Sequence, residues 1–251
     1  MSSKKKNSLS AKTGSYMFRK KITPWCILFL PMAFTVWLKY YPIFRAFYIS
    51  LFKYDPINPP GKMIGFRNYQ EMFRMQFYWD SWKNTFIFLI LQLCMCFFIP
   101  LIQALLLNEL IKLQKCLTTL YILPGVLGGG LTVLLYLSAI QGVPSDIMES
   151  AALDGCTGFK KIRHIILPNI SFMIFIQMIM CVITTMQLLD APYMYASGGP
   201  SGASTTQGIF IYNAFNDDLN YGRGSAASVV LLLVIAALTM IQMHFEKAEK
   251  N

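Results

Sequence analysis

The residues best suited to chemistry fall in one polar stretch of an otherwise apolar half of the chain. Val143 to Asn169 reads VPSDIMESAALDGCTGFKKIRHIILPN, with Asp146, Glu149 and Asp154 followed by Lys160, Lys161, Arg163 and His164. Acid–base catalysis would need an acid and a base converging on one point. The two histidines, His164 and His244, both lie outside apolar runs, and no intramembrane carboxylate pair or Ser/Lys dyad stands out. A phosphate-binding G-x-x-x-x-G-K-[ST] run is also absent. What remains is recognition: a polar helical hairpin between apolar runs serves as a contact surface. Its local signals are consistent. Pro144 precedes Ser145, a good N-cap, and Asp146 puts negative charge in the first turn. Ile147 to Asp154 reads as helix, and Gly155 sits where a left-handed terminal residue is wanted. Thr157 can cap a second helix with cationic Lys160, Lys161, Arg163 and His164, and Ile165-Ile166-Leu167 and Pro168 lead into the next apolar run.

Glu149-Ser150-Ala151-x-x-Asp154-Gly155, nine residues, then Ile165-x-Leu167-Pro168 resembles the EAA signature of bacterial ABC-importer permeases. Ser150 is a small substitute for the alanine common there. The resemblance implies a cytoplasmic coupling helix that docks into a groove of an ATP-hydrolysing partner. Glu149, Ser150, Ala151, Asp154, Gly155, Leu167 and Pro168 would form that contact. Small Ser150 and Ala151 would allow close approach, Glu149 would offer a carboxylate, and Gly155 would permit the bend.

Composition sets the class. Hydrophobic residues make up 55% of 251 and charged residues only 14%, against about a quarter charged in soluble domains. The expected fold is an all-α, polytopic transmembrane bundle. The net charge of +10 does not point to nucleic acid, because residues 1–22 concentrate Lys4, Lys5, Lys6, Lys12, Arg19, Lys20 and Lys21 before the first apolar run. Under the positive-inside rule that tail is a cytoplasmic N-terminus. Residues 23–251 form one membrane domain. Its first span runs from Thr23 to about Tyr41 and its second from Asn84 to Leu107, where the family-like core begins. Tyr78-Trp79 and Trp82 suit the membrane interface just before that span. A further span covers Ile170 to Leu189 and the last Ala226 to Met243. Six cysteines without a C-x-x-C pair indicate neither a disulfide framework nor a metal site.

Residues 190–222 carry Asp190, Asp217 and Asp218 and few basic residues, so they belong outside. Ile64-Gly65-Phe66-Arg67-Asn68-Tyr69 resembles the family's G-x-x-N-Y element, and Tyr195-Ala196-Ser197-Gly198-Gly199-Pro200 its outer Gly-Gly-Pro loop. In relatives that loop faces the binding protein and the substrate path. Asp190, Gly198, Gly199 and Pro200 are therefore candidates for the path. Gln177 and Gln187 join them, or else serve helix–helix hydrogen bonds.

Cys116 to Gln141 breaks the pattern. Leu120-Tyr121-Ile122-Leu123-Pro124 resembles the start of one family span and Leu135 to Ile140 the end of the next, with only Gly125 to Thr132 between. The resemblance implies six spans; this chain has room for about five, with an apparent deletion near Leu127-Gly128. About 26 residues cross a bilayer once. A single crossing would place the coupling segment outside, whereas a break at Gly128-Gly129-Gly130 would restore the parity.

The resemblance implies a permease subunit of a type I importer in the bacterial cell membrane, similar to the oligosaccharide-uptake branch. No cofactor is expected in this chain, since ATP would bind the partner. The implied partners are an ABC ATPase dimer, a second homologous permease, an extracytoplasmic solute-binding protein and the lipid bilayer. The competing readings are an internally deleted, transport-incompetent remnant and a membrane scaffold that binds an ATPase without transporting.

Overall fold

The computed structural model describes residues 25, 28–57, 59–109 and 130–249. Helix α1 covers residues 28–50. A two-residue antiparallel hairpin follows, β1 Phe52–Lys53 against β2 Lys62–Met63. Then come α2 Arg67–Arg74 and α3 Gln76–Glu109. Beyond residues 110–129 lie α4 Gly130–Gln141, α5 Ser145–Leu153 and α6 Phe159–Asn169. The last four helices are α7 Ser171–Met186, α8 Asp190–Ala196, α9 Gln207–Asn216 and α10 Tyr221–Glu249. The all-α expectation holds. Among the described residues, α3 and α10 are each long and apolar enough to cross a membrane, and the bent pairs α4–α5 and α6–α7 make up to four crossings.

Two apolar cores are stacked along α3. Near its start, Tyr78, Trp82 and Leu89 pack with Met72 of α2, Val182 and Met186 of α7, Phe210 of α9, and Ala227, Leu231 and Ile235 of α10. Near its end, Leu101, Ala104 and Leu107 pack with Val133, Tyr136, Leu137 and Ile140 of α4 and with Ile166 and Ile170. Helix α7 also reaches both, since it starts beside Ile170 and ends at Met186. The bundle therefore has two distinguishable ends: an elbow end near Ile166 and a loop end near Tyr78. At 34 residues, α3 is about 51 Å long, comfortably more than the ~30 Å of bilayer hydrocarbon.

Three boundaries correct the sequence reading. Tyr78, Trp79 and Trp82 lie within α3 rather than before it. Tyr78 is fully buried, with its ring 5.2 Å from that of Phe210. Helix α10 starts at Tyr221 rather than Ala226, because Gly222 and Gly224 allow its first turn to lie against Phe52, Asn68 and Phe215. Residues 190–222, read from sequence only as an outer connection, contain α8, a 3-10 turn at Pro200–Gly202, and α9. The sequence question over Cys116 to Gln141 is answered only in part, since Cys116 to Gly129 fall outside the described residues. The described part, α4, has 12 residues, about 18 Å, which is too short to cross alone.

The loop end is fastened by Asn68, whose Nδ2 donates to the carbonyls of Ser50 at 2.7 Å and Phe52 at 2.9 Å. Tyr69 Oη donates to Ser50 Oγ at 2.8 Å. A Cβ on Gly222 would stand 2.4 Å from the Phe52 carbonyl oxygen and 2.6 Å from Asn68 Nδ2. Gly222→Ala should therefore force α10 off this clamp and destabilise the protein by about 1–3 kcal/mol, read as a lower melting temperature in detergent. An unchanged melting temperature would show that the contact yields freely.

Candidate functional site

The polar stretch folds into an elbow. Helix α4 ends where Gly142 and Pro144 interrupt it, and α5 leaves at 68°. Pro144 itself takes the capping position, so Ser145 is the first helical residue and not the cap expected of it. Asp146 does lie in the first turn. The turn after α5 rests on Gly155 and Gly158, with φ of 71° and 56°. Gly158, not Thr157, precedes α6, and no side chain caps that helix.

Helix α6 contains a π turn, Ile162–Ile166. Pro168 supplies a reason: it has no N–H for the carbonyl of His164, and its ring crowds that oxygen. Asn169 Nδ2 donates to the Ile165 carbonyl at 2.7 Å. At Ile170 the chain bends by 71° into α7.

The elbow's two faces differ. Ala151 is buried against the chain itself, so its small size serves the internal packing of α5. Glu149, Ser150, Asp154 and Gly155 are exposed. So are two large apolar residues that the sequence reading passed over, Leu153 at 89% and Phe159 at 75%. The signal was available, as both interrupt an otherwise polar surface. Leu167 is half-buried, and Pro168 lines a cleft of about 700 Å³ with Ser171, Phe175 and Gln242.

At the loop end the chain is pinned to α3. Asn84 Nδ2 donates to the carbonyls of Gly202 at 3.0 Å and Thr205 at 3.1 Å. Gln207 is fully buried. Its Nε2 donates to Ser81 Oγ at 2.8 Å and the Tyr78 carbonyl at 3.2 Å, and its backbone N–H donates to Thr85 Oγ1 at 2.9 Å. Thr206 caps α9, accepting from the Ile209 N–H at 3.3 Å and donating to the Leu188 carbonyl at 2.5 Å. Gln207 was missed from sequence because a Gln after Ser-Thr-Thr looks like loop.

The proposed path residues do not converge on one cavity. Gln187 is exposed and lines an apolar cavity of about 320 Å³ with Phe47, Ile211 and Ser228. Gln177, half-buried in the middle of α7, does not line it. Asp190 starts α8 and is exposed. Gly198 and Gly199, with φ of 94° and 71°, make a tight turn in which the Gly198 carbonyl accepts from the Ser204 N–H at 2.8 Å. Pro200 is exposed at the head of the 3-10 turn. No group of three or more metal-ligating side chains occurs among the described residues.

Apolar rods with a polar elbow at one end and a folded, pinned loop at the other define a polytopic integral membrane protein. Residues 73–251 match the family described as "Binding-protein-dependent transport system inner membrane component", and the chain belongs to that family. It is a permease of the ABC-transporter class, a transport component rather than an enzyme.

Similar proteins include the probable ABC transporter permease protein YurN of Bacillus subtilis (strain 168), 25% identical and covering 93% of this chain and 99% of that one. The sn-glycerol-3-phosphate transport system permease protein UgpA of Pectobacterium atrosepticum is 24% identical, covering 94% and 97%. The trehalose/maltose transport system permease protein MalF of Thermococcus litoralis is 23% identical, covering 84% and 88%. The alignment with YurN spans 290 positions, more than the 251 residues available here, so the relative has residues without a counterpart in this chain. Among solved structures, a chain of a bacterial alginate ABC transporter in complex with an alginate pentasaccharide-bound periplasmic protein has the same fold. Its TM-score is 0.74 at 17% identity, covering 93% of this chain and 97% of that one.

Two outcomes test this geometry. A Cβ on Gly155 would meet nothing within 4 Å, so substitution there costs backbone strain alone. That strain is about 1–2 kcal/mol for an ordinary residue. Melting temperatures should fall in the order Gly155, Gly155→Asn, Gly155→Ala, Gly155→Val; equal values would deny the left-handed turn. Gln207→Leu should leave Ser81 and the Tyr78 carbonyl short of a donor, at a cost of about 1–3 kcal/mol. Proteolysis between Gly198 and Thr206 should then become faster, and an unchanged cleavage rate would contradict the pinning.

Proposed function

We propose that the chain is the membrane-spanning permease subunit of an importer for a sugar or oligosaccharide. An extracytoplasmic binding protein delivers the solute, and a separate ATPase dimer hydrolyses ATP. A second, homologous permease completes the pathway. In this reading the elbow Ser145–Asn169 is the cytoplasmic coupling segment, and residues 190–222 lie on the opposite side of the membrane. The basic residues 1–22 stay in the cytoplasm.

The observation that carries this reading is the separation of the two polar elements to opposite ends of α3. Basic Lys160, Lys161 and Arg163 accompany the elbow, which agrees with a cytoplasmic side. The solutes in the relatives' names support the substrate class: sn-glycerol-3-phosphate, trehalose/maltose and alginate. Leu153 and Phe159 are the apolar anchors of the ATPase contact, ringed by Glu149, Ser150 and Asp154, and Gly155 sets the angle between the two helices. Leu167 and Pro168 hold the elbow to α7. Of the path candidates, Gln187 and Asp190 stand nearest the outer mouth. Gly198, Gly199 and Pro200 shape the loop that bounds it, and Gln177 serves helix–helix packing.

The test is reconstitution with the two ATPase subunits and the second permease. Leu153→Asp with Phe159→Asp should reduce co-purification of the ATPase and solute uptake at least tenfold, about 1.4 kcal/mol or more of docking energy. Membrane insertion should stay unaffected. Full uptake by that double variant would remove the assignment of the elbow.

A further inference from the structure

Helix α1 has two unlike sides. Toward the bundle, Ala46, Ile49 and Ser50 are half-buried or buried, and Pro42 and Ile43 line the cavity they share with Gln187. The opposite side carries Phe34, Trp37, Tyr41, Arg45 and Tyr48, spaced three or four apart and therefore in one stripe. All five are exposed. The Trp37 and Tyr41 rings lie parallel, with centroids 5.1 Å apart.

Neutral groups hold Arg45 in this stripe. Its Nη1 donates to Tyr41 Oη at 2.9 Å and its Nη2 to Tyr54 Oη at 3.3 Å, and the guanidinium carbon stands 5.9 Å from the centre of the Tyr41 ring. Tyr54 is itself set edge-on against Tyr221 of α10, with centroids 5.9 Å apart. The guanidinium is therefore posed from two sides, by α1 and by a tyrosine that α10 braces. It carries five N–H donors in a planar fork, and the two phenol oxygens leave most of them over. Among the described residues the ion pairs are Arg67–Glu71 and Arg223–Asp218, so no carboxylate there neutralises Arg45. An arginine posed in this way has donors and a charge to offer an anion from outside the chain.

We propose that Arg45, posed by Tyr41 and Tyr54, binds the phosphate of an anionic phospholipid at the loop-end surface of the membrane. This site depends on α1 crossing the bilayer and not on the import function. The expected first span ends at about Tyr41, and Arg45 lies one helical turn beyond it, about 6 Å along the axis. That is the level of the headgroups when Trp37 and Tyr41 occupy the interface, as amphipathic rings do. A planar guanidinium matches phosphate oxygens and makes paired, charge-assisted hydrogen bonds with them. An anionic headgroup such as that of phosphatidylglycerol adds attraction, which a zwitterionic one offsets with its own ammonium. A solute in transit is a poor fit, since the stripe faces away from the bundle. A partner protein would have to bring a carboxylate to Arg45 and also cover the rings of Phe34 and Trp37. A lipid leaflet supplies phosphate and hydrocarbon at those two levels.

The experiment titrates the purified full-length chain in detergent with phosphatidylglycerol, counting retained lipid by native mass spectrometry and following the melting temperature in parallel. Arg45→Gln should weaken the tightest phosphatidylglycerol site about tenfold and remove most of the lipid-dependent rise in melting temperature. Arg45→Lys keeps the charge without the fork and should fall between Arg45→Gln and the original. Tyr41→Phe with Tyr54→Phe removes the hydroxyls that pose the guanidinium and should weaken the same site with Arg45 still present. Residues 1–22 are intact in every variant, so lipid held by that basic segment contributes equally. Should Arg45→Gln fail to fold, Arg45→Lys and the tyrosine pair decide. Equal phosphatidylglycerol binding by the original and the variants overturns the proposal, and so does equally tight binding of phosphatidylcholine by the original. If sn-glycerol-3-phosphate stabilises the original as phosphatidylglycerol does, and Arg45→Gln abolishes both effects, the site takes soluble phosphate esters and the lipid assignment falls. If Arg45→Gln keeps its phosphatidylglycerol but no longer co-purifies with the second permease, the stripe is a subunit contact and the lipid assignment falls likewise.

Discussion

The carboxamide of Gln207 is where the loop end is decided. It is buried at the head of α9, and its donors reach Ser81 Oγ and the Tyr78 carbonyl. A buried amide without partners costs several kcal/mol, so α9 cannot leave α3 unless both sides lose hydrogen bonds. The Thr85 hydroxyl adds a bond to the Gln207 N–H and Asn84 two more to the preceding turn. These bonds fasten residues 202–207 to α3 beside the first core, and that core in turn holds α7 and α10 against α3. Without them, Phe210 would lose its place beside Tyr78 and the start of α10 its support.

The elbow end is organised on a different principle. Its angles arise where backbone hydrogen bonding is interrupted or altered. Pro144 stops α4, glycines 155 and 158 occupy positive φ, and Pro168 leaves a π turn before it. In a bilayer such irregular backbone is tolerable only at the edge or under protein cover. Here it lies at the end of the bundle, with Ile166 and Ile170 buried in the second core beneath it. Leu153 and Phe159 stand exposed on the elbow, whose base Ile166 fixes in the second core.

The class of fold and the elbow were readable because hydropathy and glycine/proline placement are local signals. Gly155 was expected in the left-handed region and has a φ of 71°. The start of α3 was misplaced because Tyr78 and Trp82 look like interface aromatics until Phe210, far away in sequence, is known to cover them. The same distance hid Gln207 and Asn84. Ser145 and Thr157 were credited as caps on residue type alone, whereas a proline and a glycine adjoin the helices and fix their starts. Gln177 and Gln187 were path candidates for their polarity, but polarity does not say whether two side chains share a cavity: Gln187 lines the cavity beside Phe47 and Ile211, and Gln177 does not.

The bend at Ile170 differs mechanically from the turn at Gly155. At the former, Ile170 closes one helix and opens the next: its N–H donates to the Ile166 carbonyl and its carbonyl accepts from the Ile174 N–H, both at 3.0 Å, while its own φ of −97° and ψ of 7° are not helical. The latter has two positive-φ glycines with empty space where their Cβ atoms would be. Ile170, buried in the second core, is the single residue between α6 and α7 and sets the angle between them. Displacement of α5 can be absorbed in part at Gly155 and Gly158 unless the packing around Ala151 and the π turn carries it. The far end of α7 is Met186, in the first core, one residue from Gln187 and two from Leu188, whose carbonyl accepts from Thr206. Helix α7 thus joins the second core beneath the elbow to the first core and, through Leu188, to the cap of α9.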